Sequence, residues 1–198
     1  MKTLLSITFV LFYIGAAPSL SADVVTGPVV NPANGHSYYL LDEASWNDSQ
    51  TEAVALGGHL VTINDAAENQ WVFDTFSSFD GLNRNLWIGF NDSVNEGVFE
   101  WVSGEVSTYN NWNTGQPNNF DGVEDYAFIQ RPQIQEANDS FSPGFWNDQD
   151  NQDATDRVLG QYFGVAEVVS IPEPNAGLAI VMFTLFPAAL ARRKNLRR

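Results

Sequence analysis

Residues 43–76 read EASWNDSQTEAVALGGHLVTINDAAENQWVFDTF, and this stretch predicts two helices with a short strand between them. In its first half, Trp46, Ala53 and Leu56 recur at helical spacing and so share one face of a helix. The glycine pair at 57–58 follows directly and is typical of a helix end. The stretch therefore begins with an amphipathic helix.

The second half of the stretch predicts a strand and then another helix. HLVTI, residues 59–63, places β-branched side chains between polar flanks, a pattern typical of a strand. Either Asn64 or Asp65 can cap the next helix, and Glu68 stands three residues after Asp65, which is the spacing of a capping box. The buried side of this helix is expected to consist of Trp71, Val72 and Phe76.

The rest of the chain predicts short strands and one long polar segment. Residues 38–41, 86–90, 98–102 and 162–169 have the apolar or alternating patterns of strands. Residues 103–156 are rich in Asn, Gly, Pro, Asp and Ser, and irregular segments of that length inside a compact domain are more often functional than not. Helices followed by short antiparallel strands predict an α+β fold.

The N-terminus reads as a targeting segment. Residues 1–22 begin with the cation Lys2, continue through an apolar run at 4–17 and end in the small residues SLSA. This order is typical of a secretory signal peptide, which is removed from the mature protein. The folded domain is therefore expected to occupy residues 23–170.

The C-terminal segment 171–198 combines a short motif, an apolar run and a basic end. Pro172-Glu173-Pro174 precedes the apolar residues 176–191, and five cations follow. The composition alone fits either a tail anchor with its positive end inside or a sorting signal that is cleaved. The order of the three parts resembles the PEP-CTERM signal, which implies a Gram-negative bacterium, removal by an exosortase-type protease, only transient membrane contact and delivery to the cell surface or an exopolysaccharide matrix.

The charge distribution excludes several classes of partner. Residues 23–173 hold three arginines, no lysine and all 24 acidic residues, a net charge of −21. Such a domain repels nucleic acid and anionic membranes and attracts multivalent cations. The chain has no cysteine, which excludes thiol catalysis, thiolate metal sites and disulfides.

Residues 35–169 resemble a C-type lectin-like domain almost from end to end. The matching segments, in order, are LGGHLVTI, NDAAENQWV, WIGF, EGVFEWVSGE, NWNTGQPN, EDYAFI, WND and VAEV. The resemblance implies two helices and two small antiparallel sheets, with a long loop that binds calcium and, in many members, a sugar. It also implies a binding protein rather than an enzyme.

The resemblance carries a principal calcium site onto this chain, and the same side chains are expected to contact the sugar. Its ligands, matched motif by motif, are Gln116, Asn118, Glu124, Asn147 and Asp148. The first two flank Pro117, which the family holds in the cis form. Calcium takes six to eight oxygen ligands, and amides add hydrogen-bond donors that carboxylates lack. The interpretation that needs no metal is a solvated polar turn.

The resemblance also implies an auxiliary calcium site beside the principal one. Its ligands would be Asp92, Glu96, Asn119, Glu124 and Asp125. Asn119 replaces the family's more usual aspartate and removes one negative charge.

Three departures from the family pattern bear on function. The cysteines of one family disulfide are matched by Ala53 and Ala166, and Tyr126 stands where the second disulfide would begin. The segment from Tyr126 to Trp146 is longer than the family norm. The motif Gln-Pro-Asn combines the first residue of the family's galactose-type motif with the last residue of its mannose-type motif, so it predicts neither sugar.

Other interpretations are weaker. NDQDNQDATD, residues 147–156, lacks the glycine and glutamate of an EF-hand. His59 is expected to be structural, Trp87, Trp101 and Trp112 to serve the core or anchor the loop, and no carboxylate stands in an evident apolar pocket that would raise its pKa. The main alternative to a lectin is a calcium-stabilised structural or protein-binding module of the matrix.

Overall fold

The computed structural model describes residues 23–132, 142–151 and 161–169. The expected signal peptide and C-terminal sorting signal lie outside these residues. Within the described part of the chain, no helix is both long enough and apolar enough to span a bilayer.

In chain order the helices and strands are β1 (Val24–Val30), β2 (Ser37–Glu43), α1 (Trp46–Ala55), β3 (His59–Leu60), α2 (Ala66–Phe76), β4 (Asn85–Asn91), β5 (Glu100–Trp101), β6 (Tyr126–Ile129), β7 (Trp146–Gln149) and β8 (Tyr162–Val168).

The strands form one connected sheet in the order β1-β2-β8-β4-β6-β7, with β3 beside β8 and β5 beside β4. All pairings are antiparallel except that of β4 with β8. This parallel pairing joins the two small antiparallel sheets that the resemblance implies into one mixed sheet. Both strands are buried over most of their length, which is the usual setting for parallel pairing.

The core lies on both faces of this sheet. On β4, Leu86 and Ile88 belong to one cluster, and Trp87 belongs to the other. Helix α2 supplies Val72 to the first cluster, and α1 supplies Trp46 to the second. The sheet is therefore the middle layer between two helices, and each helix buries one face as its amphipathic pattern predicts.

Side chains cap both helices, and the sequence predicts the cap of the second one. The Ser45 side chain caps α1 by accepting from the backbone N–H of Asp48 at 3.1 Å, and the Asp65 side chain caps α2 by accepting from that of Glu68 at 2.8 Å. The capping box is only half formed. The Glu68 carboxylate accepts from the backbone N–H of Asn64 at 2.8 Å, one residue before the expected donor. Its other oxygen accepts from the buried Tyr38 hydroxyl.

Two expected strands are shorter than their patterns predict. Beyond Leu60, the Val61 N–H still donates to the Val165 carbonyl, while the Val61 carbonyl accepts from Gly89. The segment thus passes from β8 to β4 and forms no continuous ladder of backbone hydrogen bonds with either strand. Gly89 permits this crossing because a Cβ there would stand 2.5 Å from the Leu60 carbonyl oxygen. The second shortened strand, β5, spans only two residues of the predicted 98–102.

Packing occupies the place of the missing disulfide. Ala53 and Ala166 are both fully buried and belong to the same cluster. The two small side chains therefore hold α1 against β8 by contact alone.

Candidate functional site

The hairpin of β6 and β7 brings together residues that are far apart in the sequence. Its register pairs Ala127 with Asp148 and Phe128 with Asn147. Glu124 lies just before β6, so it stands at the same end of the hairpin as Asp148. The long connection between the strands leaves from the opposite end, where Ile129 pairs with Trp146. The insertion therefore does not separate the predicted ligands in space.

The loop that carries the Gln-Pro-Asn motif is tied to this hairpin. The Gln116–Pro117 peptide bond is cis, as the resemblance predicts. The Asp148 carboxylate is 0% exposed and accepts from the backbone N–H of Asn118 at 3.0 Å and from that of Asn119 at 2.7 Å. Asp148 thus fixes the position of the motif relative to β7.

Two side-chain oxygens of the predicted set are buried without a partner. Gln116 Oε1 and Asn147 Oδ1 make no hydrogen bond within the described chain, although both atoms are shielded from solvent. A buried acceptor left unpaired costs free energy, roughly 1–3 kcal/mol. Such a pair is expected where an ion completes the coordination.

Glu124 is the most electrostatically perturbed member of the set. Its carboxylate accepts from the backbone N–H of Phe120 at 2.9 Å. Burial, and then the negative charges of Asp148, Asp150 and Asp121, raise the pKa of Glu124 to about 7. The expectation that no carboxyl group would have its pKa raised by burial is therefore wrong, because the burial of Glu124 and its approach to Asp148 arise only when β6 and β7 pair. A divalent cation would relieve the repulsion.

Asn119 has a structural role in the same loop. Its backbone is left-handed, with φ of 43°, a conformation that asparagine tolerates better than most residues. Its side-chain oxygen accepts from the backbone N–H of Glu124 at 3.1 Å. This bond shapes the turn between Asn118 and Glu124 and engages one lone pair of a predicted auxiliary ligand.

The auxiliary group is assembled from three carboxylates. Asp92, Glu96 and Asp125 offer oxygens within 4.8 Å of one another. Asp92 is 3% exposed, and its Oδ1 has no partner within the described chain, while its Oδ2 accepts from the Gly97 N–H at 2.8 Å. Burial, followed by the charge of Glu96, raises the pKa values of both Asp92 and Asp125.

Both groups fit calcium by the chemistry of their donors. All the predicted ligand side chains offer oxygen, and they mix carboxylates with amides as calcium sites do. Each group also contains a buried oxygen that has no hydrogen-bond partner among the described residues. The alternative of an ordinary polar turn does not account for these unpaired oxygens.

One exposed apolar group beside the site was missed from the sequence. Phe120 is 64% exposed and Val123 51% exposed, and both lie in the turn between Asn118 and Glu124. Apolar side chains inside an otherwise polar loop were the available signal. Trp87 and Trp101 are buried, as predicted.

The chain is similar to a known family and to several known proteins. A family model described as "Lectin C-type domain" matches residues 42–155. The chain is 35% identical over 120 residues to the perlucin-like protein of Mytilus galloprovincialis, covering 57% of this chain and 74% of that protein. It is 34% identical to lectin BRA-3 of Megabalanus rosa, covering 48% of this chain and 60% of the lectin. Against human C-type mannose receptor 2 it is 32% identical over 61% of this chain but only 7% of the receptor.

A solved structure has the same arrangement of elements. The C-type lectin CEL-I from Cucumaria echinata superposes with a TM-score of 0.54 at 27% identity, covering 68% of this chain and 90% of that one. The fold is therefore that of C-type lectins, with two helices on a mixed sheet.

Proposed function

The chain belongs to the C-type lectin domain family, and from this membership we propose that it is an exported, calcium-dependent carbohydrate-binding protein. The lectin names of its relatives support the carbohydrate-binding part. The observation that carries the calcium part is the pair of buried, unpaired oxygens on Gln116 and Asn147, held in the same site as the Glu124 and Asp148 carboxylates.

The principal site consists of Gln116, Asn118, Glu124, Asn147 and Asp148. Bound calcium would supply positive charge and coordination positions that sugar hydroxyls can fill. The amide groups of Asn118 and Asn147 can donate to the same hydroxyls, and the Glu124 carboxylate can accept from them. Asp148 keeps the loop and the hairpin in register through its two backbone hydrogen bonds.

Phe120 and Val123 extend this site with an apolar surface. An exposed aromatic ring beside hydroxyl-binding groups favours a ligand with both an apolar face and vicinal hydroxyls, and a sugar ring has both. No catalytic step is proposed, because binding through calcium needs no proton transfer or nucleophile.

Export and attachment are part of the same proposal. The signal-like residues 1–22 and the Pro-Glu-Pro segment at 171–198 support secretion from a Gram-negative bacterium with removal of the tail by an exosortase-type protease. Mass spectrometry of the secreted protein is expected to find a C-terminus near Pro174. An intact basic tail in the membrane fraction would instead favour a tail anchor.

A second function uses the same calcium. The domain has no disulfides and is rich in carboxylates. In this second function, calcium stabilises a structural or protein-binding module and no sugar binds. The two functions share the metal and differ in whether a sugar binds.

A glycan array combined with thermal melting separates them. The lectin is expected to bind a subset of glycans in millimolar calcium and none in EDTA, and calcium is expected to raise the melting temperature. Asn118→Asp changes the Gln-Pro-Asn motif and should shift the set of bound glycans, whereas Asn110→Asp, at an exposed position outside the ligand set, should not. A melting shift without any glycan binding would support the structural module, and no melting shift would refute the calcium claim.

A further inference from the structure

The chain has two histidines, and both lie beside one buried glutamate. Glu167 on β8 is 1% exposed. His36 Nδ1 lies 2.6 Å from Glu167 Oε1. His59 on β3 is the direct cross-strand partner of Glu167, so their side chains start from neighbouring points on one face of the sheet. The principal calcium site uses none of these residues.

A third residue completes a group of metal-ligand atoms. A ring nitrogen of His59 and carboxylate oxygens of Glu105 and Glu167 all lie within 4.8 Å of one another. Glu105 comes from the exposed segment after β5, where its Oε2 is 3.4 Å from the Asn64 amide nitrogen. Strand pairing fixes the positions of His59 and Glu167, and Glu105 reaches them from the neighbouring segment.

Hydrogen bonds already orient the two strand residues as ligands. His59 Nδ1 lies 2.9 Å from the Leu60 carbonyl oxygen, which can only accept, so Nδ1 carries the proton and Nε2 keeps its lone pair in the neutral ring. Glu167 Oε2 accepts from the Thr62 N–H at 3.1 Å. Ligating histidines and carboxylates are usually held by bonds of this kind.

The donor types differ from those of the calcium groups. One imidazole nitrogen with two carboxylate oxygens suits a first-row transition ion such as zinc, whereas calcium takes oxygen alone. We propose that His59, Glu105 and Glu167 form a zinc-binding site that is separate from the calcium sites. Water would complete the coordination.

Such a site would join three separate parts of the fold. It would connect β3, β8 and the segment after β5, and so restrain a domain that has no cysteine to form disulfides. Its role is stabilising, because binding to the folded state alone raises stability by mass action.

The test is isothermal titration of the full chain with zinc chloride in a buffer saturated with calcium. One zinc per chain is expected at a site that calcium does not block. Glu105→Gln should weaken zinc binding by at least about tenfold, because even the loss of a hydrogen-bond partner of a metal ligand has an effect of about that size. Glu105 is exposed, so this variant is expected to fold. Glu100→Gln removes the same charge at another exposed glutamate and should leave binding unchanged.

Nitrogen NMR of the imidazole gives a readout specific to coordination. Zinc should shift the His59 Nε2 resonance strongly while Nδ1 stays protonated, and in Glu105→Gln the same shift should need at least about tenfold more zinc. Zinc affinity equal in Glu105→Gln and the parent chain, displacement of zinc by millimolar calcium, or no zinc binding would each overturn the proposal.

Discussion

Lowering the pH from about 8 to about 6 should weaken calcium binding at the principal site by about tenfold. Burial and neighbouring carboxylates raise the pKa of Glu124 to about 7, and calcium binds the ionised carboxylate. A group with that pKa is about nine-tenths ionised at the higher pH and about one-tenth ionised at the lower. Calcium must therefore displace a proton under acidic conditions.

The stability of the calcium-free protein should rise as the pH is lowered, whereas its calcium affinity should fall. A raised carboxyl pKa stabilises the folded state fully below the usual value of 4.5, and this contribution is lost as the pH rises through about 7. Without calcium, the contribution of Glu124 to the melting temperature should thus fall as the pH rises from about 5 to about 8, and the comparison with Glu124→Gln measures that contribution. Saturating calcium should remove that fall.

Calorimetric titration in two buffers of different ionisation enthalpy measures the proton directly. About half a proton should be released per calcium near pH 7, because the Glu124 carboxyl is then half ionised. Performing the titration in Asp92→Asn isolates the principal site from the auxiliary group. Glu124→Gln should weaken binding and abolish the pH dependence, whereas Glu100→Gln should retain it. An affinity that stays constant between about pH 6 and about pH 8 would refute the reasoning.

Three further changes test other parts of the structure. Asn147→Ala removes one of the proposed calcium ligands and should lower the calcium-induced rise in melting temperature without changing the melting temperature in EDTA by a comparable amount. Gly58→Ala places a Cβ 2.0 Å from the Glu167 carbonyl oxygen, so it should lower the free energy of unfolding by about 1–3 kcal/mol or more. Urea denaturation measures this, and an unchanged urea midpoint would contradict it. Tyr38→Phe removes the hydroxyl that donates to Glu68, and urea unfolding should show a loss of about 1–3 kcal/mol that calcium does not restore.

The sequence predicts the helices and the central strands because their apolar residues recur at regular spacing. It does not predict β1, because the Gly27-Pro28 pair interrupts the strand pattern and proline inside a run argues against a strand. It also does not predict β6 and β7 from periodicity, because both are short and lie inside the polar segment 103–156. The parallel pairing of β4 with β8 is also invisible in the local pattern, since it joins residues that are far apart in the chain. Family motifs supply the fold where periodicity does not.

The types of the candidate ligands could be predicted from the motifs, but their electrostatics could not. The pKa of Glu124 depends on its burial and on Asp148, which reaches it only through the pairing of β6 with β7. The role of Asn119 in shaping the turn likewise depends on a left-handed backbone that its residue type permits but does not require.

The direction of the β6–β7 hairpin makes its far end suitable for engineering. The chain leaves β6 at Ile129 and enters β7 at Trp146, at the opposite end from Glu124. Connections of this kind tolerate changes in length when the elements they join stay paired. A peptide tag or a second binding domain could thus be fused between Pro132 and Ser142 without altering the proposed calcium ligands. Two such domains fused there would present their binding sites away from the junction, an arrangement suited to bridging separate glycan chains.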